Sequence, residues 1–583
     1  MKRLIQKSFV ICGLLALLLC AGDHPVQAHP DVTIQGVDGE SDLYAWLEKT
    51  VLDRFNAHGF FEDGSYEGIQ DATVKALKSK GYYQPHVQFI EPSPEDKKQT
   101  PVLDIAPGER YTISSITVTG EPKADVRLIK TGEALDATSV LQAQAALADD
   151  IQVDACPYNL ELRHEVVLNH ATHTGSVTYF ISSGRAAVFG TTTFEGAPEI
   201  ERGYLERFIK YTEGDCWGYS KIEQTKTALL ETGLLSVVRD VLPETPEADG
   251  QVDIVFEIKK RAPRSVRLGA NYYTDQGPGI VAEWEHRNIM GEGEKLSARL
   301  KSNFLEQSLE GEFEKPYFWT DNKTLTINNR LGRIDSDAYI ENSLSAGVNI
   351  KNDFNKNLSA TLGTAIELTR IEDKNDNNEE STFGLFSTPG LVTYDNRDNP
   401  LNPHEGWRLQ GRGEPFFDVL GEASPFVKTS LTASTYLELS EKKDIVLALR
   451  GKLGGILGGG TDSVPASKRF YAGGGGSIRG FGYQEAGPME DGDPTGGRSV
   501  VETSAELRFK FTENMGGAVF VDGGGAYDAT FPDFQEGYYI GAGAGFRYFT
   551  GFGPLRVDFA VPVNKRDQTD AAFQFYISIG QAF

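Results

Sequence analysis

Beyond its N-terminal thirty residues, this 583-residue chain has no run of about 20 apolar residues, which excludes a helical membrane span there. Positive charge is scarce. Lys and Arg number 57 against 83 Asp and Glu, for a formal net charge of −26. So acidic a chain is a poor nucleic-acid binder, because phosphate contacts draw on lysine and arginine. No G-x-x-x-x-G-K-[ST] loop occurs, and no G-x-G-x-x-G follows a strand pattern, so the usual nucleotide cradles are missing. A G-x-S-x-G elbow is missing too, which removes the commonest hydrolase signature. His170 and His173 form an H-x-x-H in "NHATHTG". A metal site needs more ligands, and the stretch reads as a hairpin turn. The chain is therefore expected to be no enzyme and to need neither metal nor cofactor.

Cysteine is also rare, with four in all. Two of them fall in an N-terminal segment that has the layout of a secretory signal peptide. Lys2, Arg3 and Lys7 precede the apolar run "FVICGLLALLLCA", and Val26-Gln27-Ala28 offers a small-x-small cleavage site. Removal of residues 1–28 takes away three cations and one anion and leaves a net charge of −28. Cys156 and Cys216 remain, either as a disulfide or as two buried thiols. Export favours the disulfide, and thiol labelling of the unreduced, denatured chain distinguishes the two.

What the chain does have is alternation. In residues 264–583, "KLSARLKSNF" sets Leu296, Ala298 and Leu300 against Lys295, Ser297 and Arg299. "ELRFKF" sets Leu507, Phe509 and Phe511 against Glu506, Arg508 and Lys510, and "PLRVDFAVPV" repeats the pattern around Arg556 and Asp558. A period of two means strands. Periodicity alone leaves a soluble sandwich and a membrane barrel both open. Length favours the barrel. At about 9–11 residues per spanning strand, plus connections, 320 residues hold roughly sixteen strands. The low mean hydropathy of −0.34 is normal for such barrels, whose strands alternate between lipid and lumen.

The first half follows another rule. "VTIQGV", "ITVTGE" and "TTFEGA" each end a strand on glycine, and closing strands begin at Val102, Val177 and Val252, 75 residues apart. A fixed period marks an array of like units. "ATVKALKSKGYY" and "TKTALLETGLLSVV" supply helices with glycine stops. The reading is three β-α-α-β-β units at 29–108, 109–185 and 186–263, after a signal peptide at 1–28 and before a barrel at 264–583.

Such units ahead of a sixteen-stranded antiparallel barrel resemble the POTRA-plus-barrel superfamily of outer-membrane assembly and secretion proteins. Ile478-Arg479-Gly480-Phe481 match its (V/I)-R-G-(F/Y) loop signature. "FYAGGGGSIRGFGY", "GAVFVDGG", "GPLRVDFAVPV" and "QFYISIG", with three repeat units, are most similar to the TamA branch. The resemblance implies a loop folded into the lumen, where Arg479 is latched to Glu506 and Asp522. It implies a lateral gate between the first and last strands, here around Val266, Leu268 and Gly269 and around Phe575, Ile577, Ser578 and Gly580. Small residues at Gly269, Ala270, Ser578 and Gly580 point to a weak seam, with Gly269 and Ser578 as a facing pair. The implied location is the Gram-negative outer membrane, with the repeats in the periplasm. The implied partners are unfolded outer-membrane or autotransporter clients, outer-membrane lipids and an inner-membrane-anchored TamB-like protein. The alternative is an outer-membrane channel of the two-partner secretion type.

Overall fold

The computed structural model describes residues 32–39, 41–52, 67–91, 101–375, 379–440, 444–550, 553–567 and 569–579. The signal-peptide stretch and Gly580 lie outside the described residues. The chain divides into two compact bodies, one of 1–193, 210–223 and 241–255, the other of 194–209, 224–240 and 256–583.

Three small sheets come first. Strands β1 (Thr33–Gln35), β2 (His86–Ile90) and β3 (Val102–Ala106) form one in the order β1-β3-β2, with helices α1 (Asp42–Leu47) and α2 (Glu67–Ser79) between β1 and β2. Ile34, Leu47, Ile69, Leu77, Leu103 and Ile105 are its core. Strands β4 (Thr112–Glu121), β5 (Leu160–Asn169) and β6 (Thr174–Ser183) repeat the order as β4-β6-β5 around α3 (Ala137–Ala155). Strands β7 (Val188–Glu195), β8 (Leu235–Val241) and β9 (Gln251–Lys260) do so again as β7-β9-β8, with α4 (Arg202–Glu206) and α5 (Tyr219–Glu231). The 75-residue period thus marks the central strand of each sheet, where Val177 and Val252 are fully buried.

The second unit departs from the two-helix pattern. Residues 122–136 carry no helix. Pro122 lacks an amide donor, and Gly132 has a positive φ of 92°. Val126 and Ile129 still pack against the α3 core. Asp136 then caps α3, accepting from the N–H groups of Thr138 and Ser139 at 2.8 and 3.4 Å. Its other oxygen meets Lys80 Nζ at 3.2 Å, which ties the first unit to the second. Burial opposes ionisation of this carboxyl, but Lys80 and the two cap N–H groups outweigh it and hold the carboxyl below its ordinary range. At the other end of α3, Cys156 is bonded to Cys216 with Cα atoms 5.4 Å apart. Beside the bond, the Trp217 indole N–H donates to the Tyr158 carbonyl at 2.9 Å.

From Arg264 onward, antiparallel strands close into a sixteen-stranded barrel. The eighth strand is broken between Glu379–Ser387 and Gly390–Asp395, where Pro389 cannot donate to a ladder. Both halves still pair with the strands on either side. Alternation now has a direction. Leu268, Leu309, Leu331, Leu344, Leu368 and Leu431 are exposed on the outside, whereas Glu285, Glu341, Glu502 and Arg508 are buried. An apolar band outside and charge within is the pattern of a barrel in lipid, and it removes the sandwich alternative.

Candidate functional site

Residues 458–498 connect the strands Ile445–Leu457 and Ser499–Lys510. They do not lie outside the barrel as a free loop. Val464, Phe470, Ile478, Phe481 and Ala486 form one apolar cluster with the wall residues Tyr339, Phe383, Phe416, Phe426 and Tyr539. Burying so much apolar surface is favourable at about 25 cal/mol per Å², so the connection is drawn inward. Phe470 and Gly497 exchange backbone hydrogen bonds at 2.7 and 2.8 Å to close its neck. The Gly474 N–H donates to the Phe481 carbonyl at 3.1 Å, folding the tip that carries Ile478 to Phe481.

Both apolar members of the tip, Ile478 and Phe481, are fully buried. Phe481 meets Tyr539 edge-on at 5.4 Å. Gly480 takes φ +101°, and a Cβ there would lie 2.8 Å from the Val561 carbonyl. On the wall, a Cβ at Gly541 would collide with the Arg479 carbonyl at 1.7 Å. The glycines of this region therefore let two backbones touch, one in the loop and one in the wall.

Arg479 is the centre of the site. Its Nε and Nη2 donate to both oxygens of Asp522 at 2.6 and 3.0 Å, and its backbone N–H donates to the same carboxylate at 3.1 Å. Nη1 donates to Glu506 at 2.7 Å and to Asp558 at 3.2 Å. The guanidinium lies over the Phe520 ring, 3.4 Å from its centroid. The two-pronged contact with Asp522 uses the planar fork that only arginine has. Glu506, Asp522 and Asp558 are wholly buried. The charged face of these strands is buried at this level.

The resemblance implies Glu506 and Asp522 as partners of Arg479, and four further charges join them. Asp558 is the third carboxylate. Arg508 donates to Glu506 at 2.8 Å, Arg547 pairs with Asp558, and Arg556 lies 3.5 Å from Asp558. Four guanidinia thus surround three carboxylates. Arg556 and Asp558 were visible as the charged face of "PLRVDFAVPV", but alternation gives the face of a residue and not its height in the barrel.

The seam lies close to this latch. The first strand, Arg264–Tyr273, meets the last, Gln574–Ile579, in two register pairs, Tyr272 with Ile577 and Tyr273 with Tyr576. The first strand pairs with its other neighbour over ten positions, and the last with its own over six. Continuing the seam register would set Asn271 against Ser578 and Ala270 against Ile579, yet neither pair forms. Gly269 and Ser578 are therefore not a facing pair. Gly269 pairs with Val281 on the other side, and Ser578 pairs with Arg556. Val266 and Leu268 are exposed on the outer face, while Phe575 and Ile577 pair with Phe559 and Val557.

Nor is the inner face of the seam made of small residues alone. Tyr576 shares that face with Ser578 and is fully buried. Its ring meets Tyr273 edge-on at 5.7 Å, and its hydroxyl accepts from the Gly480 N–H at 3.3 Å. The seam is paired where the latch loop touches it. Thr274 extends the contact, donating its N–H to the Phe575 carbonyl at 3.1 Å.

Comparison with known proteins places this geometry. Residues 288–583 match the model of the Omp85 superfamily domain. The chain belongs to the Omp85 superfamily. Among Omp85 relatives, it is 24% identical to the outer membrane protein assembly factor BamA of Nitratidesulfovibrio vulgaris over 93% of this chain and 71% of that one. It is 21% identical to BamA of Neisseria meningitidis serogroup B, over 93% and 75%. The crystal structure of BamA from Haemophilus ducreyi lacking POTRA domains 1–3 superposes with a TM-score of 0.70 at 21% identity, covering 80% of this chain and all of that one. At that identity the likeness shows the shared Omp85 fold.

Proposed function

We propose that this chain is an outer-membrane protein assembly factor of the TamA-like type. Its three N-terminal units stand in the periplasm and receive unfolded outer-membrane or autotransporter clients. Free sheet edges can accept an extended segment by β-augmentation. The barrel then helps the client into the bilayer through the seam, and a TamB-like protein anchored in the inner membrane is its partner.

One observation carries this reading. Among the described residues the first strand pairs with the last only at Tyr272 and Tyr273, and Asn271 and Ala270 stay unpaired although Ser578 and Ile579 lie at their register positions. Unpaired N–H and C=O groups in a membrane are costly, and an incoming strand would satisfy them. The latch supports the same reading. Arg479 fastens the loop to the wall at Glu506, Asp522 and Asp558, while Gly480 donates its N–H to the Tyr576 hydroxyl of the last strand. The wall can therefore hold its shape while the seam parts.

Depletion of the protein, followed by outer-membrane proteomics and lipid analysis, tests the proposal. Loss of several unrelated barrel proteins is the expected result. Loss of one exported protein with the barrels unchanged would replace it with the secretion-channel reading.

A further inference from the structure

A cavity of about 250 Å³ lies beside the start of the barrel, where Lys260–Pro263 leads into the first strand. Leu234 and Pro263 supply apolar wall, and Arg261 and His286 stand at its edge. Two cations beside it already have partners. Lys260 pairs with Glu199, and Arg287 is held by Glu285 at 2.8 Å and by the Ser265 hydroxyl at 3.2 Å. Arg261 and Arg264 have no ion pair among the described residues, and both are exposed. Arg264 is the register partner of His286. The His286 Nδ1 is buried and has no hydrogen-bond partner among the described residues.

The outer face that begins at Arg264 and His286 continues as lipid-facing surface. On the first strand come Val266, 67% exposed, and Leu268, 80% exposed; on the second come Trp284 and the exposed Ile280. Unpartnered cations and a buried ring nitrogen thus sit at one rim, directly below an apolar track. Arginine guanidinia bind phosphate oxygens strongly, and a cation at the end of an apolar face lies at the depth of lipid headgroups.

We infer that this rim holds an anionic glycerophospholipid, with its phosphate at Arg261, Arg264 and His286 and one acyl chain along Val266, Leu268 and Trp284. The site lies at the start of the first strand of the barrel. The inference rests on the proposed membrane placement of this rim.

The test uses the full-length protein reconstituted in vesicles of phosphatidylcholine with a minor share of phosphatidylglycerol, then extracted and read by native mass spectrometry. The wild-type protein is expected to retain phosphatidylglycerol over phosphatidylcholine. Arg261→Gln/Arg264→Gln is expected to lower that retention at least tenfold, and His286→Phe by a smaller factor. Heat-modifiable migration on gels confirms that each variant barrel is folded. Millimolar inorganic phosphate is expected to leave retention unchanged. Equal retention by wild type and the double variant would overturn the inference. Displacement of the lipid by inorganic phosphate would also overturn it, because the rim would then be a site for a free anion. Client assembly is measured separately, so failure here and failure of the assembly reading are told apart.

Discussion

The latch and the seam occupy one barrel and are built on opposite terms. At the latch, a single side chain makes charge-assisted hydrogen bonds to three buried carboxylates, with three further arginines around them. At the seam, two strands share two register pairs among the described residues, and the next two positions, Asn271 with Ser578 and Ala270 with Ile579, do not pair. A barrel whose purpose is only to span the membrane gains nothing from a ladder that lapses at Asn271 and Ala270. One that admits a strand needs a firm wall next to a ladder that can part. The two regions touch at Tyr576, which closes the seam against Tyr273 and accepts from the latch loop.

The contrast breaks most severely with Arg479→Ala. Among the described residues, the substitution leaves Asp522 buried with the Ser504 hydroxyl and one backbone N–H as its hydrogen-bond partners. Breaking a buried pair from one side costs about 3–5 kcal/mol. The expected result is a barrel that folds but denatures at clearly lower urea, with client insertion impaired. Arg479→Lys should recover part of the loss, because the charge returns without the two-pronged contact. Gel migration after graded urea and a client insertion assay read both effects, and full activity of Arg479→Ala would remove the latch from the mechanism.

A smaller change separates the two regions. Tyr576→Phe keeps the ring against Tyr273 and strips the acceptor from the Gly480 N–H. An unsatisfied buried donor costs about 1–3 kcal/mol. Seam opening, followed by a spin-label pair across the two strands, should increase, while urea resistance of the Arg479 cluster changes little. Equal loss in both measurements would mean that latch and seam are one unit.

The smallest effect lies in the repeats and serves as a control. Asp136 has a carboxyl held below its ordinary range in the folded chain. Its contribution is therefore present above the unfolded carboxyl value near ~3.9 and is lost as pH falls through the lower folded value. Asp136→Asn should cost a few tenths of a kcal/mol at neutral pH, and nothing at a pH below both values. Thermal melts at the two pH values check this, and neither latch nor seam readouts should move.

The strands were legible because alternation is local. Leu507 and Phe509 against Glu506 and Arg508 need no knowledge of any other strand. Arg479, Glu506 and Asp522 were legible through the family resemblance that the loop motif carries. Asp558 and Arg547 were not, because which charges share a level depends on the stagger between strands, and stagger is set by many non-local pairs. The mismatch of Gly269 with Ser578 has the same cause: a register shift of two residues changes a residue's partner and keeps its face, whereas a shift of one would change the face. Tyr576 was hidden differently. It lies on the same face as Ser578, and only its contact with the loop reveals what it does. In the second repeat unit, the first of the two helices expected of each unit is missing, and residues 122–136 form an irregular stretch whose apolar residues still reach the core.

The central claim is that the Tyr272–Ile577 ladder must part for a client to enter. The direct test is Tyr272→Cys/Ile577→Cys in a background of Cys156→Ser/Cys216→Ser, so that reductant acts on the seam alone. The protein is reconstituted in liposomes, oxidised, and given an unfolded barrel client whose insertion is followed by protease protection. The account predicts insertion at the rate of empty liposomes when the seam is locked, and recovery on reduction. Insertion at the unlocked rate through a locked seam would contradict it.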